Sequence, residues 1–514
     1  MSTHTQRDLI GLPRLLRERA SRHPSKVALV EASDITYAEL WHRVTDLAQS
    51  YASLGLRPGD RIVIALENSS AYVIAYYAAL AAHCVPVALN PLAKAAELAR
   101  ATAHSGARLL VARAENRELE AWLAACPGIP SLLACGERSP AIFRLGTSAF
   151  TLKAHAANSL VRSGTRLDSL AALVYTSGTT AEPKAVMLSH RNLLANVESI
   201  VQALALTSDE RCLVSLPFFY AYGASVLHSH LAVGATLILE ERTVYPAKLL
   251  ARIAEQGATS LPLVPSMLPL LFRCGALGSS DLSSLRRITL AGGTCRPLEL
   301  VKLHSLLPSV EVFVMYGQTE ATARLTCLPA ELLEGRINSV GRAIPGVQVE
   351  VRGAAGEHLS IGNIGDVYAR GPSVMLGYYR DPAATAAVLQ NGWLKTGDLG
   401  YLDGEGFLHL HGRRTDIIKT GAHRVNPHEI EEVLCELEDV EDAVVTGVPD
   451  DIMGEVITAR VQTRHGSPLS VEEVQRHCRA RLCAHKLPRR VELVVALPRT
   501  ASGKTLRRRF MKAS

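Results

Sequence analysis

The stretch Leu173-Val174-Tyr175-Thr176-Ser177-Gly178-Thr179-Thr180-Ala181-Glu182-Pro183-Lys184 is the most informative in the chain. Its apolar first half reads as a buried strand. Its second half trades Leu and Val for hydroxyls, Gly and then Lys. Backbone N–H groups and hydroxyls in such a loop can cradle a polyphosphate, and Lys184 adds positive charge. This is not the GxxxxGK(S/T) loop, because Lys184 stands six residues after Gly178 and Ala185 follows it.

The strand needs neighbours, and the flanking sequence supplies them. RIVIAL (61–66), ARLLVA (107–112), RCLVSLP (211–217), ATLILE (235–240) and VEVFVMYG (310–317) are continuous apolar runs separated by segments of helical period. Such runs belong to strands covered on both faces, and their alternation with helices predicts parallel α/β units. Near Gly341 the texture changes: VQVEVRG (347–353) and GFLHLHG (406–412) alternate strictly, which predicts antiparallel β with one exposed face.

Beyond Asp416 a small α+β domain is expected. Asn426-Pro427-His428-Glu429 reads as an N-cap, a Pro at N1 and a capping-box Glu at N3, followed by Ile430, Val433, Leu434 and Leu437 at helical spacing. Ser470 and Glu473 open a second helix in the same way. Strand-like runs at 441–448, 455–463 and 491–497 surround them. From Lys486 onward there are nine basic residues and one acid, Glu492.

Composition bounds the rest. The chain has 514 residues, 48% apolar and 20% charged, so disorder is excluded and several domains are expected. A net charge of +6 is small for this length and points to no nucleic-acid partner. Ten cysteines without a CxxC fit free thiols in a reducing, cytoplasmic setting. No secretory signal is visible, and Ala71–Leu89, interrupted by His83 and Pro86, reads as a buried helix running into a buried strand rather than a membrane span. His228-Ser229-His230 and the set His477, Cys478, Cys483, His485 fit no standard zinc spacing and are expected to serve packing.

The 173–184 loop resembles the signature of the adenylate-forming superfamily of acyl-CoA synthetases, stand-alone adenylation enzymes and luciferases, and the resemblance continues in order along nearly the whole chain. Leu216–Gly223 is similar to the family's acyl-pocket segment, Tyr316-Gly317-Gln318-Thr319-Glu320 to its adenine and metal motif, and Thr396-Gly397-Asp398 to its ribose motif. Gly412-Arg413 with 416–431 resembles the hinge and the loop after it. Pro498–Lys504 resembles the C-terminal lysine motif.

The resemblance implies an α/β fold. An N-terminal domain would span 1–412, with α/β subdomains at 1–170 and 171–340 and a β subdomain at 341–412. A hinge at 413–416, centred on Thr415, would lead to a mobile domain at 417–514. The implied activity uses ATP and Mg²⁺ to turn a carboxylic acid into acyl-AMP, then passes the acyl group to coenzyme A. The alternative is an adenylating enzyme that serves a carrier-protein thiol or a partner enzyme. Thr176, Ser177, Gly178, Thr179, Thr180, Lys184, Gly292, Gly293, Tyr316, Gly317, Asp398 and Arg413 would bind ATP. Glu320 would hold Mg²⁺, and Thr319 and Lys504 would assist the chemistry. Phe219, Tyr220, Tyr222, Gly223, Pro265 and Ala291 would form the acyl pocket, and Gly421, Ala422 and Arg424 the coenzyme A channel. The chain departs from the family pattern with Ala at 181, 185 and 422, Tyr220 and Thr415. The Ala422 methyl either narrows the channel and slows the coenzyme A step or is absorbed by a slight backbone shift that leaves thioester formation normal.

Overall fold

The computed structural model describes residues 9–135, 142–145, 165–176, 184–240, 245–278, 280–421, 423–450, 453–464, 466–499 and 507–510. The signature strand is Leu170–Thr176, in the middle of an eight-stranded sheet. Its parallel neighbour is Val85–Ala88, followed by Arg61–Ala65, Leu109–Arg113, Ser131–Cys135 and Ile142–Leu145. On its other side Lys184–Ser189 runs antiparallel, and Gly377–Tyr378 closes that edge.

A second sheet of nine strands is ordered Arg342–Ala343, Thr326–Leu328, Glu311–Tyr316, Arg287–Leu290, Ser260–Leu263, Arg211–Val214, Thr236–Leu239, Val27–Val30, Ile35–Thr36. Its central ladder is parallel, as the apolar runs predict. The sheets do not follow the expected division at residue 170. Val27–Val30 leaves the first segment to pair in parallel with Thr236–Leu239, while strands Leu170–Thr176 and Lys184–Ser189 join the sheet of the first segment. Apolar burial accompanies the exchange: Leu29 is fully buried in a core whose helices and strands come from both segments.

Between the sheets lie helices including Tyr37–Ser53, Ser70–Ala81 and Ala221–Val233, and one continuous core joins them to both sheets. Helix Ser70–Ala81 is buried on nearly all sides, as expected of one without a polar face, and leads into strand Val85–Ala88. His228 and His230 are core residues of Ala221–Val233. The Tyr77 hydroxyl lies 3.1 Å from His228 Nδ1, and burial lowers the His228 pKa to about 3. Among the described residues no helix is long and apolar enough to cross a membrane.

The alternating segments form a third, five-stranded antiparallel sheet containing Gln348–Arg352, Gly365–Arg370, Trp393–Leu402 and Leu408–Arg413. A fourth sheet contains Ile418–Thr420, His423–Val425, Val440–Asp450, Gly454–Thr463 and Arg490–Val494, backed by helices Pro427–Leu434 and Val471–Arg481. Ser470 and Glu473 form the expected capping box. At the other helix Asn426 caps and Pro427 takes N1, but no capping box forms, because Glu429 pairs instead with Lys486 at 2.5 Å. The helix also stops before Leu437.

Candidate active site

The ends of several strands meet beside the loop that follows Thr176. Thr176 pairs with Lys184 across the antiparallel ladder, and its hydroxyl donates to Lys184 O at 3.4 Å, so the two residues frame the 177–183 loop. Ser177, Gly178, Thr179 and Thr180 lie outside the described residues, as do Ala422 and Lys504.

Lys184 Nζ sits 4.8 Å over the ring of Tyr378, whose hydroxyl donates to Glu320 Oε1 at 2.8 Å. The Glu320 carbonyl accepts from Met375 N at 2.9 Å. Glu320 and Thr319 belong to a single 3₁₀ turn that ends in Thr322 at φ 56°. Glu320 is thus fixed at both its backbone and its side chain, and among the described residues none bonds to Oε2. Burial and the adjacent carboxylate push the Tyr378 pKa up, so its proton stays in the bond to Glu320. The sequence reading did not select Tyr378. Its signal was the Gly377-Tyr378 pair, which forms a short strand on the signature sheet.

A second cluster forms around Asp398. Tyr316 donates its hydroxyl to Asp398 Oδ2 at 2.6 Å, and Arg413 Nε lies 3.2 Å from Oδ1. Asp398 and Arg413 are register partners in the third sheet, so the ladder itself sets their spacing. Burial disfavours charge on Arg413, but Asp398, Asp416, Tyr316 and Glu320 together outweigh it and raise the guanidinium pKa. Gly317, between Tyr316 and Glu320, has a packing role: a Cβ there would overlap Ala323 O.

The expected acyl-pocket residues split into two groups. Tyr222, Pro265 and Ala291 come together with Gly292 and Gly293, two glycines expected at the ATP site. A Cβ on Gly292 would lie 3.6 Å from Val264 and 3.9 Å from Tyr222, and one on Gly293 would touch Pro265 at 3.5 Å. The Tyr222 hydroxyl donates to Thr289 O at 2.8 Å. Phe219 and Tyr220 pack on each other with ring centroids 4.4 Å apart, just before helix Ala221–Val233. Gly223 is required by packing, since a Cβ would overlap the backbone of Pro217.

In the fourth sheet Thr420 pairs with His423 and Lys419 with Arg424, and Gly421 follows the first of these paired strands. Arg424 is exposed there, and Gly421 takes φ +58°. Thr415 is exposed and its hydroxyl reaches Asp416 at 3.2 Å. Among the described residues no group of three or more His, Cys, Asp or Glu could hold a metal ion.

Comparison with known proteins agrees with this arrangement. Residues 16–379 match the family model for AMP-binding enzymes, and residues 429–504 the model for the C-terminal domain of those enzymes. A feruloyl-CoA synthase of Amycolatopsis sp is 35% identical over 505 residues, covering 96% of this chain and 97% of that protein. Among solved structures, the o-succinylbenzoate CoA synthetase of Bacillus subtilis in complex with its acyl-adenylate intermediate is 29% identical with a TM-score of 0.83, over 97% of this chain and 98% of that one. The amide bond synthetase McbA from Marinactinospora thermotolerans is 31% identical with a TM-score of 0.86, over 97% and 99%. The chain belongs to the AMP-binding enzyme family.

Proposed function

We propose that the protein is an AMP-forming acid–thiol ligase. A carboxylate attacks the α-phosphate of ATP to give acyl-AMP and pyrophosphate, and coenzyme A then takes the acyl group and releases AMP. The observation that carries the reading is a pair of fixed carboxylates that both act on Arg413: Asp398 held by Tyr316 and Arg413, Glu320 held by Tyr378.

Both steps need charge neutralised where anions approach. Asp398 would accept the ribose hydroxyls, while the Tyr316 face carries adenine. Lys184 and the 176–180 loop would meet the phosphates. Glu320 fits Mg²⁺, since it offers a hard oxygen at Oε2 while Tyr378 holds Oε1. When bound, Mg²⁺ would screen the phosphate charge.

Tyr222, Pro265, Ala291 and the two glycines would wall the acyl group. Lys504 would reach the site from a 417–514 domain turning at 413–416, and the segment with Gly421, Ala422 and Arg424 would border the coenzyme A channel. Nine of the ten cysteines are free thiols, which fits a cytoplasmic enzyme.

The test is pyrophosphate release with a panel of carboxylic acids that includes ferulic and 2-succinylbenzoic acid, with and without coenzyme A. Acid-dependent pyrophosphate and AMP, followed by an acyl thioester when coenzyme A is present, is the expected result. ADP as the nucleotide product would overturn the reading. The likeness to an amide bond synthetase makes an amine the alternative acceptor, and replacing coenzyme A with amines in the same assay decides between them.

A further inference from the structure

Arg324 is buried, at 3% exposure, and no acid among the described residues pairs with it. Its guanidinium lies 4.1 Å over the ring of Tyr222, and its Nε donates to Met315 Sδ, a weak acceptor, at 3.2 Å. The other arginines with well-covered side chains are compensated. Arg287 faces Glu210 at 3.1 Å, Arg296 faces Asp442 at 2.5 Å, and Arg507 faces Glu431 at 2.7 Å. A buried cation without a partner is costly, and five N–H donors against one sulfur acceptor leave most of its bonding unused. Burial draws its pKa below the ordinary value, opposed only by Tyr222 and Cys327, neither of which is a carboxylate.

A second observation points the same way. Arg324 lines a small cavity together with His230, Ser260, Arg287 and Thr289. Ser260 Oγ, His230 Nε2 and Arg287 Nε are buried and have no hydrogen-bond partner. Two of these atoms are donors. His230 gives its Nδ1 proton to Val226 O at 2.8 Å, so Nε2 is an acceptor there and becomes a donor on protonation. Glu210 offsets Arg287, which leaves one uncompensated positive charge, that of Arg324. The free volume is about 10 Å³, enough for one oxygen-sized group. The body of an acyl group therefore stays on the Tyr222–Ala291 side, and only its tip reaches in. The two sides share a wall: Thr289 lines the cavity and also accepts from Tyr222, and Ala291 and Tyr222 pack with Ile200 and Leu204 of the cavity lining.

We propose that Arg324 is the specificity residue for an acid carrying a second carboxylate, whose distal oxygen sits on the guanidinium while the first carboxylate is activated near Glu320. This rests on the acyl-pocket reading given above. The class is a dicarboxylic acid; its length is set by the Tyr222–Ala291 wall. A carboxylate on this guanidinium forms charge-assisted bonds and removes the unpaired buried charge in one event.

The experiment compares acids matched in length with and without a terminal carboxylate: hexanoate with adipate, octanoate with suberate, cinnamate with 4-carboxycinnamate. Pyrophosphate release gives kcat/KM for each. In the wild type at least one diacid should exceed its monoacid by about 10-fold or more, because a site built around a buried polar group rejects analogues that leave it unpaired. Arg324→Met should invert that ratio, and Arg324→Lys should keep the diacid preference in weakened form, since Lys retains charge without the planar fork. The ratio within one preparation does not depend on how much of a variant is folded. Monoacid turnover with no diacid preference in any pair, or an unchanged ratio in Arg324→Met, would overturn the assignment while leaving adenylation intact. Absence of pyrophosphate with every acid would strike the adenylation reading itself, and the Arg324 assignment with it.

Discussion

Tyr378 touches Glu320 and Lys184 at once, and through them it ties the expected metal position to the edge of the phosphate loop. A phenol hydroxyl on one carboxylate oxygen orients the other. Loss of an outer partner of this kind typically costs about 10–100-fold in metal affinity or activity. Tyr378→Phe should therefore raise the Mg²⁺ concentration needed for half-maximal pyrophosphate release by about 10-fold. Conversion of pre-made acyl-AMP should stay near wild type; a Mg²⁺ curve that does not move would remove Tyr378 from the site. At this scale the sequence was uneven. Glu320, Asp398 and Arg413 were legible because they sit in spaced motifs, and the structure draws Asp398 and Arg413 together through a strand ladder. Tyr378 and Arg324 were not. Their significance lies in what surrounds them, Glu320 58 residues away in one case and the lack of an acid in the other, and neither is a property of the local string.

Among the elements, helix Pro427–Leu434 shows why local rules reached only so far. Its N-cap and Pro obeyed them, but Glu429 turned to Lys486, a partner no periodicity could name. Glu431 on the same helix is held by Arg507 at 2.7 Å and His428 at 2.9 Å, and it accepts from Val445 N at 2.7 Å. It thereby locks the 507–510 turn onto the fourth sheet. Burial alone would raise its pKa, but Arg507 and His428 outweigh it and hold the carboxyl below 4.5. A depressed folded pKa gives stability that is present above the unfolded value near 4.5 and lost as pH falls through the folded value. Melting of the wild type should thus be flat above about pH 5 and fall below it, with a shallower acid fall in Glu431→Ala. At neutral pH Glu431→Ala should destabilise the 417–514 region by about 3–5 kcal/mol, as removal of one partner of a buried pair does. Glu431→Met with Arg507→Leu should recover much of that loss, because the orphaned charge is gone. A double variant no more stable than Glu431→Ala in denaturant melts would show that the orphaned charge is not the cause.

For the whole molecule, the broad plan was readable because each sheet type has its own hydrophobic rhythm. The pairing of Val27–Val30 with Thr236–Leu239 was not, since which sheet a four-residue apolar strand joins depends on what covers it. The 417–514 part also meets the larger part through charge. Asp442 binds Arg296 and Arg499, both at 2.5 Å, and Glu441 binds Arg273 at 2.6 Å. Arg499, the second residue of the 498–504 motif, is held on strand Val440–Asp450, which itself rests against the larger part. A domain that turns about 413–416 would break and remake these pairs and present Lys504 for one step and the 421–422 segment for the other. Lys504→Ala should then lose acyl-AMP formation by about 100-fold or more, the scale of a removed transition-state charge donor. The same variant should convert pre-made acyl-AMP and coenzyme A at near the wild-type rate; equal loss in both half-reactions would contradict the two-stage site.

The central claim is that a carboxylate oxygen bonds to the α-phosphate of ATP. It is tested most directly by following that oxygen. With whichever panel acid supports turnover, labelled with ¹⁸O in its carboxylate, mass spectrometry of the nucleotide product should find AMP carrying one ¹⁸O, left behind when the acyl group moves to the thiol. Unlabelled AMP, or label found in inorganic phosphate with ADP as the nucleotide, would contradict it.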